Sequence, residues 1–275
     1  MKGATICLFI LLVGTQSVLP STSTQIVWLK DFQQALSKSK ETGKPVFVDC
    51  FAEWCVWCHK MESDVYSDSK FVNLAGNYVM LRIDIEDGAE GSRLAANYNV
   101  ETLPTLLVVD SSGSLINRIG GFLKTDELID DLSKMQDLIN RERLNANDWM
   151  TVQTIAEEYL FRDMNAEAET RFVRILQAPI SDVAKESAHF SLALSQYYQQ
   201  KNQEALRTLE TYLETYVEGN SAEEVLLLLS QIYLEMDEHE KAKQVLQEFL
   251  KKFPDSKSVG RARKVLGLLE KDQQL

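Results

Sequence analysis

The 275-residue chain has no cluster of basic residues, and its formal net charge is −12. A nucleic-acid surface needs a basic face to meet phosphates, so neither nucleic acid nor an anionic membrane surface is an expected partner. Cysteine is scarce, at four in the whole chain. A secreted scaffold stapled by disulfides would have more, and they would be dispersed. There is no glycine-rich phosphate loop. No group of His, Cys, Asp and Glu has metal-ligand spacing, so neither a metal nor another cofactor is expected. His189 and His239 stand apart in the second half and read as surface or packing residues. The acidic run Asp84, Glu86 and Asp87 reads as a solvated loop.

Long apolar runs are also missing. The longest is Ala4 to Gly14, behind a positive Lys2 and ahead of small and polar residues. It is shorter than the roughly 20 residues of a membrane span. This pattern is that of a secretory signal peptide over residues 1–23, cleaved near Ser17 or Ser23. The expected setting is export, to a bacterial periplasm, with no membrane span after cleavage. The remaining cysteines, Cys50, Cys55 and Cys58, fall within nine residues of one another. That concentration reads as a reactive site.

Composition changes near residue 141, which divides the chain into 24–141 and 142–275. The first half alternates short β-branched runs with helical patterns. Trp28, Phe32 and Leu36 predict a helix over Ile26 to Glu41. Strands are predicted at Pro45 to Phe51, Tyr78 to Asp84 and Thr105 to Asp110. After the Ser111 to Ser114 turn, a fourth strand spans Leu115 to Gly120. Helices are predicted from Cys55, straight or kinked, towards Leu74, from Ala89 to Tyr98 and from Thr125 to Asn140. The order implies an α/β fold with a mixed sheet between helices.

The second half is all helical and repeats itself. Asn165, Asn202 and His239 open similar segments 37 residues apart. The small Ala168, Ala205 and Ala242 keep that offset, as do the large Phe172, Leu209 and Leu246 and then Leu176, Leu213 and Leu250. A small residue lets two helices approach, and large ones fill the groove beside it. This resembles tetratricopeptide repeats, with three helix pairs and a closing helix over Asn147 to Glu270. The resemblance implies a concave surface for a protein partner.

Cys55-Val56-Trp57-Cys58-His59 satisfies two patterns, a redox-active dithiol and a c-type haem attachment site. The surroundings favour the dithiol. Cys55 follows a buried strand and opens a helix, where unpaired N–H groups and the helix dipole stabilise a thiolate. Asp49 lies within the otherwise apolar strand, where a carboxylate is costly without a role. Trp54 can form an apolar rim. Met61 is too close along the same helix to reach the far face of a haem. Side chains alternate along a strand, so Cys50 faces away from Asp49 as a buried core residue.

With Leu103-Pro104-Thr105 and Gly120-Gly121, VFVDCFAEWCVWC resembles the thioredoxin active site from about Trp28 to Asn140. That resemblance implies the thioredoxin fold, with Cys55 as attacking thiolate and Cys58 as resolving cysteine, together forming the redox-active disulfide. Asp49 matches the carboxylate that moves a proton at the resolving cysteine. Pro104 matches the cis-proline facing the disulfide. Trp54, Val56, Trp57 and Leu103 would complete a substrate-binding rim. The implied substrates are protein or peptide disulfides, with an upstream thiol as electron donor. No cation lies between the cysteines, which favours a reductase, with a potential nearer about −270 than −120 mV. His59, one turn beyond Cys55, could tune the thiolate or be a passive surface group. The contrasting expectation is a non-enzymatic, redox-sensitive adaptor whose repeats bind a partner.

Overall fold

The computed structural model describes residues 25–216 and 218–272. The leader read over 1–23 lies outside the described residues. No helix among them is long and apolar enough to cross a membrane.

Four strands make one mixed sheet: β1 (Val46–Phe51), β2 (Val79–Asp84), β3 (Thr105–Val109) and β4 (Leu115–Gly120). Their order is β2-β1-β3-β4. β1 runs parallel to β2 and antiparallel to β3, and β3 runs antiparallel to β4. The first half also holds α1 (Phe32–Thr42), α2 (Val56–Lys60), α3 (Ser69–Ala75), α4 (Glu90–Asn97) and α5 (Thr125–Leu144). With helices packed on the sheet this is the thioredoxin fold.

Alternation along β1 supplies both layers of the core. Val46, Val48 and Cys50 pack with Leu81, Leu107 and Leu94 on one face. Phe47 packs with Met61, Val65, Tyr66 and Phe71 on the other. Each fully buried large side chain stabilises the fold by about 2 kcal/mol. Gly91 marks the closest approach of α4 to the end of β2. A Cβ there would lie 1.8 Å from the Asp84 carbonyl oxygen.

Two expected helices differ in the structure. Residues 26–30 are not helical, and α1 begins only at Phe32 behind the Asp31 cap, whose carboxylate accepts from Gln34 N at 2.6 Å. Leu29 instead joins β2, its N–H donating to Met80 O and its carbonyl accepting from Arg82 N. The helix expected from Cys55 to Leu74 is divided. α2 passes into a π-helical turn, Met61–Val65, and α3 starts afresh at the Asp68 cap. The extra residue of a π turn shifts the helix face, and here both Met61 and Val65 are buried.

The second half contains α6 (Trp149–Phe161), α7 (Asn165–Gln177), α8 (Asp182–Tyr198), α9 (Asn202–Thr215), α10 (Ala222–Glu235), α11 (His239–Lys252) and α12 (Val259–Asp272). Asn165, Asn202 and His239 are the first residues of α7, α9 and α11, the second helix of each pair. Ala168, Ala205 and Ala242 are fully buried against the preceding helix. The same 37-residue period recurs in the backbone: Asp163, Gln200 and Asp237, in the turns between paired helices, have φ of 56°, 60° and 58°. An L-residue with a long side chain is disfavoured there. Gln200 is exposed, so Gln200→Gly is expected to stabilise the chain by up to about 1 kcal/mol, the relief outweighing the added unfolded-state entropy. Urea unfolding measures the shift.

α5 is longer than expected and serves both halves. Leu128 and Leu132 belong to the core beneath the sheet. Met135 and Leu138, further along, pack with Val152, Ile155 and Phe172 of the first repeat. Arg162, just after α6, reinforces the junction. Its guanidinium donates to Asp131 Oδ1 and Oδ2 on α5 at 3.0 and 2.8 Å. It also donates to Asn117 Oδ1 and the Arg118 carbonyl of β4 at 3.0 and 3.2 Å. Glu142 of α5 holds Arg171 and Arg174 of α7 at 2.9 and 2.5 Å.

Candidate active site

β1 delivers the chain to a tight turn, Ala52 to Cys55, closed by Cys55 N donating to Ala52 O at 3.0 Å. Cys55 is the N-cap of α2, and its Sγ accepts from Cys58 N at 3.1 Å. That placement aims a backbone N–H and the positive end of the helix at the sulfur, which favours the thiolate once the pair is reduced. Cys55 and Cys58 are joined as a disulfide, with Cα atoms 5.2 Å apart. Both are buried, Cys58 completely.

Around this pair, Trp54, Val56 and Trp57 are 64%, 74% and 54% exposed. Trp57 leans on Phe122, their ring centroids 5.4 Å apart. The Trp54 indole N–H donates to Glu86 Oε2 at 2.9 Å. Glu86 therefore does more than face solvent in its loop. Asp84 accepts from Glu86 N, and Asp87 accepts from the backbone of Ala89, Gly91 and Ser92. The acidic run shapes the turn that holds Trp54 in place. The Leu103–Pro104 peptide is cis, and Gly121 N donates to the Pro104 carbonyl at 2.8 Å. That bond ties the loop before β3 to the end of β4.

Asp49 is fully buried on β1. Its register partner on β2 is Arg82, whose Nε lies 3.3 Å from Asp49 Oδ2. The same guanidinium stacks 4.3 Å from the Phe51 ring centroid and reaches Glu62 Oε2 at 2.8 Å. Neither Asp49 oxygen has a hydrogen bond of good geometry. Burial pushes the Asp49 carboxyl up to about 6, against the opposing pull of Arg82 and Tyr66. A carboxyl that titrates so close to neutrality can both take and return a proton. Tyr66 is itself buried and held protonated, first by desolvation and then by Asp49.

The expectation for Cys50 holds in geometry: it lies on the opposite face of β1 from Phe47, free and buried. Burial, then the nearby Asp49 charge, pushes its thiol well up, so it is a poor nucleophile. His59 is exposed and its Nε2 lies 2.8 Å from the Glu53 carbonyl oxygen, a bond that pins the turn ahead of Cys55. Met61 is fully buried in the core and is no axial ligand. His189 packs on Tyr216, and His239 is exposed 3.8 Å from Asp237. Among the described residues no group of three or more His, Cys, Asp or Glu could hold a metal ion.

Arg82, Glu62 and Tyr66 escaped the reading of the sequence. Arg82 carried a usable signal, a lone cation within an apolar strand opposite a lone carboxylate. The Trp54–Glu86 pair carried none, because the two are brought together only by the fold.

Residues 27–111 match a family model described as Thioredoxin-like, and residues 187–218 and 224–256 match the tetratricopeptide repeat. The chain therefore carries a thioredoxin-like domain followed by tetratricopeptide repeats. Among curated proteins, the thiol:disulfide interchange protein DsbD of Pseudoalteromonas atlantica is 34% identical over 99 residues, 35% of this chain and 17% of its own length. The Yersinia pestis protein of the same name is 35% identical over 107 residues, 38% of this chain and 18% of its own. The chain thus spans less than a fifth of these relatives. Among solved structures, the oxidised C-terminal domain of Neisseria meningitidis DsbD aligns at a TM-score of 0.36 and 24% identity, covering 39% of this chain and 98% of that domain.

Proposed function

We propose that the protein is an exported thiol–disulfide oxidoreductase acting on protein or peptide disulfides, working in the reducing direction. The observation that carries this reading is the Cys55–Cys58 pair at a helix start, on the strand that buries Asp49. In the proposed cycle the Cys55 thiolate attacks one sulfur of a substrate disulfide. A mixed disulfide forms and the other substrate sulfur leaves as a thiol. Cys58, losing its proton to Asp49 or to water, then attacks Cys55 Sγ. The second substrate thiol leaves, and the enzyme retains the Cys55–Cys58 disulfide. An upstream thiol donor returns two electrons. Trp54, Val56, Trp57, Leu103 and cis-Pro104 would contact the substrate. Residues 24–141 would form the catalytic unit and 142–275 the partner-binding unit. The leader-like N-terminus and the acidic chain support a periplasmic setting.

The direction rests on the apolar Val56-Trp57 insert, which places no cation between the sulfurs to stabilise the reduced form. Equilibration of the pair with defined thiol buffers tests it. A reversible two-electron couple below about −220 mV is expected. A couple above about −180 mV would make the protein an oxidant or isomerase of its clients.

A further inference from the structure

A cleft of 580 Å³ separates β4 from the first repeats and takes no part in the chemistry above. Its size lies within the range of about 300–1,000 Å³ typical of binding clefts. It borders the cis-proline loop: Thr102 and Thr105, on either side of Leu103-Pro104, line it together with Gly120. Its far wall carries Phe161 at the end of α6 and Tyr198 at the end of α8. These two aromatic side chains are 87% and 57% exposed, at the C-terminal ends of their helices. Covering an exposed aromatic ring is favourable, and aromatic residues are the usual anchors of recognition surfaces.

The two arginines in the cleft are committed, and Glu101 and Asp163 line it beside them. Arg162 is held by Asp131, and the Arg118 guanidinium donates to the carbonyls of Tyr98 and Asn99. An ionic small molecule would have to compete for them. An extended chain passing Thr102 and Thr105 would instead meet β4, the last strand of the sheet, near its Gly120 end and beyond the Arg118 carbonyl that Arg162 already occupies. An edge strand offers backbone groups to a polypeptide.

We propose that this cleft seats the polypeptide segment flanking the substrate cysteine, with an apolar or aromatic residue of that segment packed on Phe161 and Tyr198. The inference rests on the exchange chemistry assigned to Cys55. It makes the first two repeats part of substrate selection by the same chain, independent of any partner on the rest of the helical surface.

The test uses the full chain with Cys58→Ser. Its Cys55 thiolate is reacted with short peptides whose single cysteine is joined to a chromogenic nitrothiobenzoate. The Cys55–peptide disulfide forms, the peptide–nitrothiobenzoate bond breaks, and the coloured thiolate leaves with the electron pair. One peptide has Leu and Phe around its cysteine, the other Ser. The apolar peptide is expected to react about tenfold faster, a difference of about 1.4 kcal/mol. Adding Phe161→Ala and Tyr198→Ala should reduce that preference to below about twofold. Both side chains are exposed, so the core is untouched. A preference that survives both substitutions, or that is absent from the start, overturns the cleft assignment. If neither peptide nor cysteine–nitrothiobenzoate itself reacts with Cys55, the exchange chemistry is overturned instead.

Discussion

Cys58→Ser is expected to turn the protein from a catalyst into a trap. Mixed disulfides between Cys55 and its substrates should accumulate and survive non-reducing electrophoresis. The reason lies in the division of labour at the start of α2. Cys55 caps the helix and is stabilised there as a thiolate, whereas Cys58 is completely buried and is placed to attack the Cys55 sulfur of the mixed disulfide. Without it the second displacement has no nucleophile. Cys55→Ser should capture nothing, and its turnover should fall by at least about a thousandfold, because a hydroxyl is a far weaker nucleophile than a thiolate. A protein whose work lies in its repeats alone would retain its partners after either change and form no covalent complexes. Mass spectrometry of the trapped species would name the substrates.

Asp49→Asn should change both stability and rate, in opposite directions. The Asp49 carboxyl titrates near about 6 in the folded protein, above its ordinary value of 3.8, because burial disfavours its charge. The folded state therefore binds the proton more tightly than the unfolded chain. The associated stabilisation is fully present below about 3.8 and is lost as pH rises through about 6. At pH 8 the ionised carboxylate costs on the order of 3 kcal/mol. The Asp49→Asn variant should be more stable by up to about that amount at pH 8 and equal to the parent below pH 4. Arg82 would keep Glu62 as a partner at 2.8 Å, so the exchange leaves no buried cation alone. Denaturant melts of both forms across that pH range measure the difference. Resolution of the mixed disulfide should slow by about a hundredfold, the usual contribution of a positioned base. Its rise through pH 6 should disappear. An unchanged pH profile would remove Asp49 from the chemistry.

Much of this was legible in the residues. The four strands follow from β-branched runs with turn residues between them. The repeat offset located α7, α9 and α11 at their first residues, because a buried alanine at each helix crossing admits few alternatives. Residues 26–30 misled, since Trp28, Phe32 and Leu36 have helical spacing. Leu29 gives its backbone groups to Met80 and Arg82, and a distant strand outweighed the local pattern. The same kind of long-range pairing hid the Trp54–Glu86 contact and the Arg82 bridge to Asp49. The mid-helix π turn also left no mark in the spacing, because one added residue shifts a face without changing its composition.

The way α5 crosses from one core to the next, with Arg162 bolting β4 to α6, has a consequence for kinetics. A partner held on the repeats would be tethered to the dithiol through a stiff frame with no flexible linker between the two cores. Its effective concentration at Cys55 would then depend sharply on where its cysteine lies. It would reach the millimolar range for a well-placed disulfide and nearly vanish for one the frame cannot bring within reach.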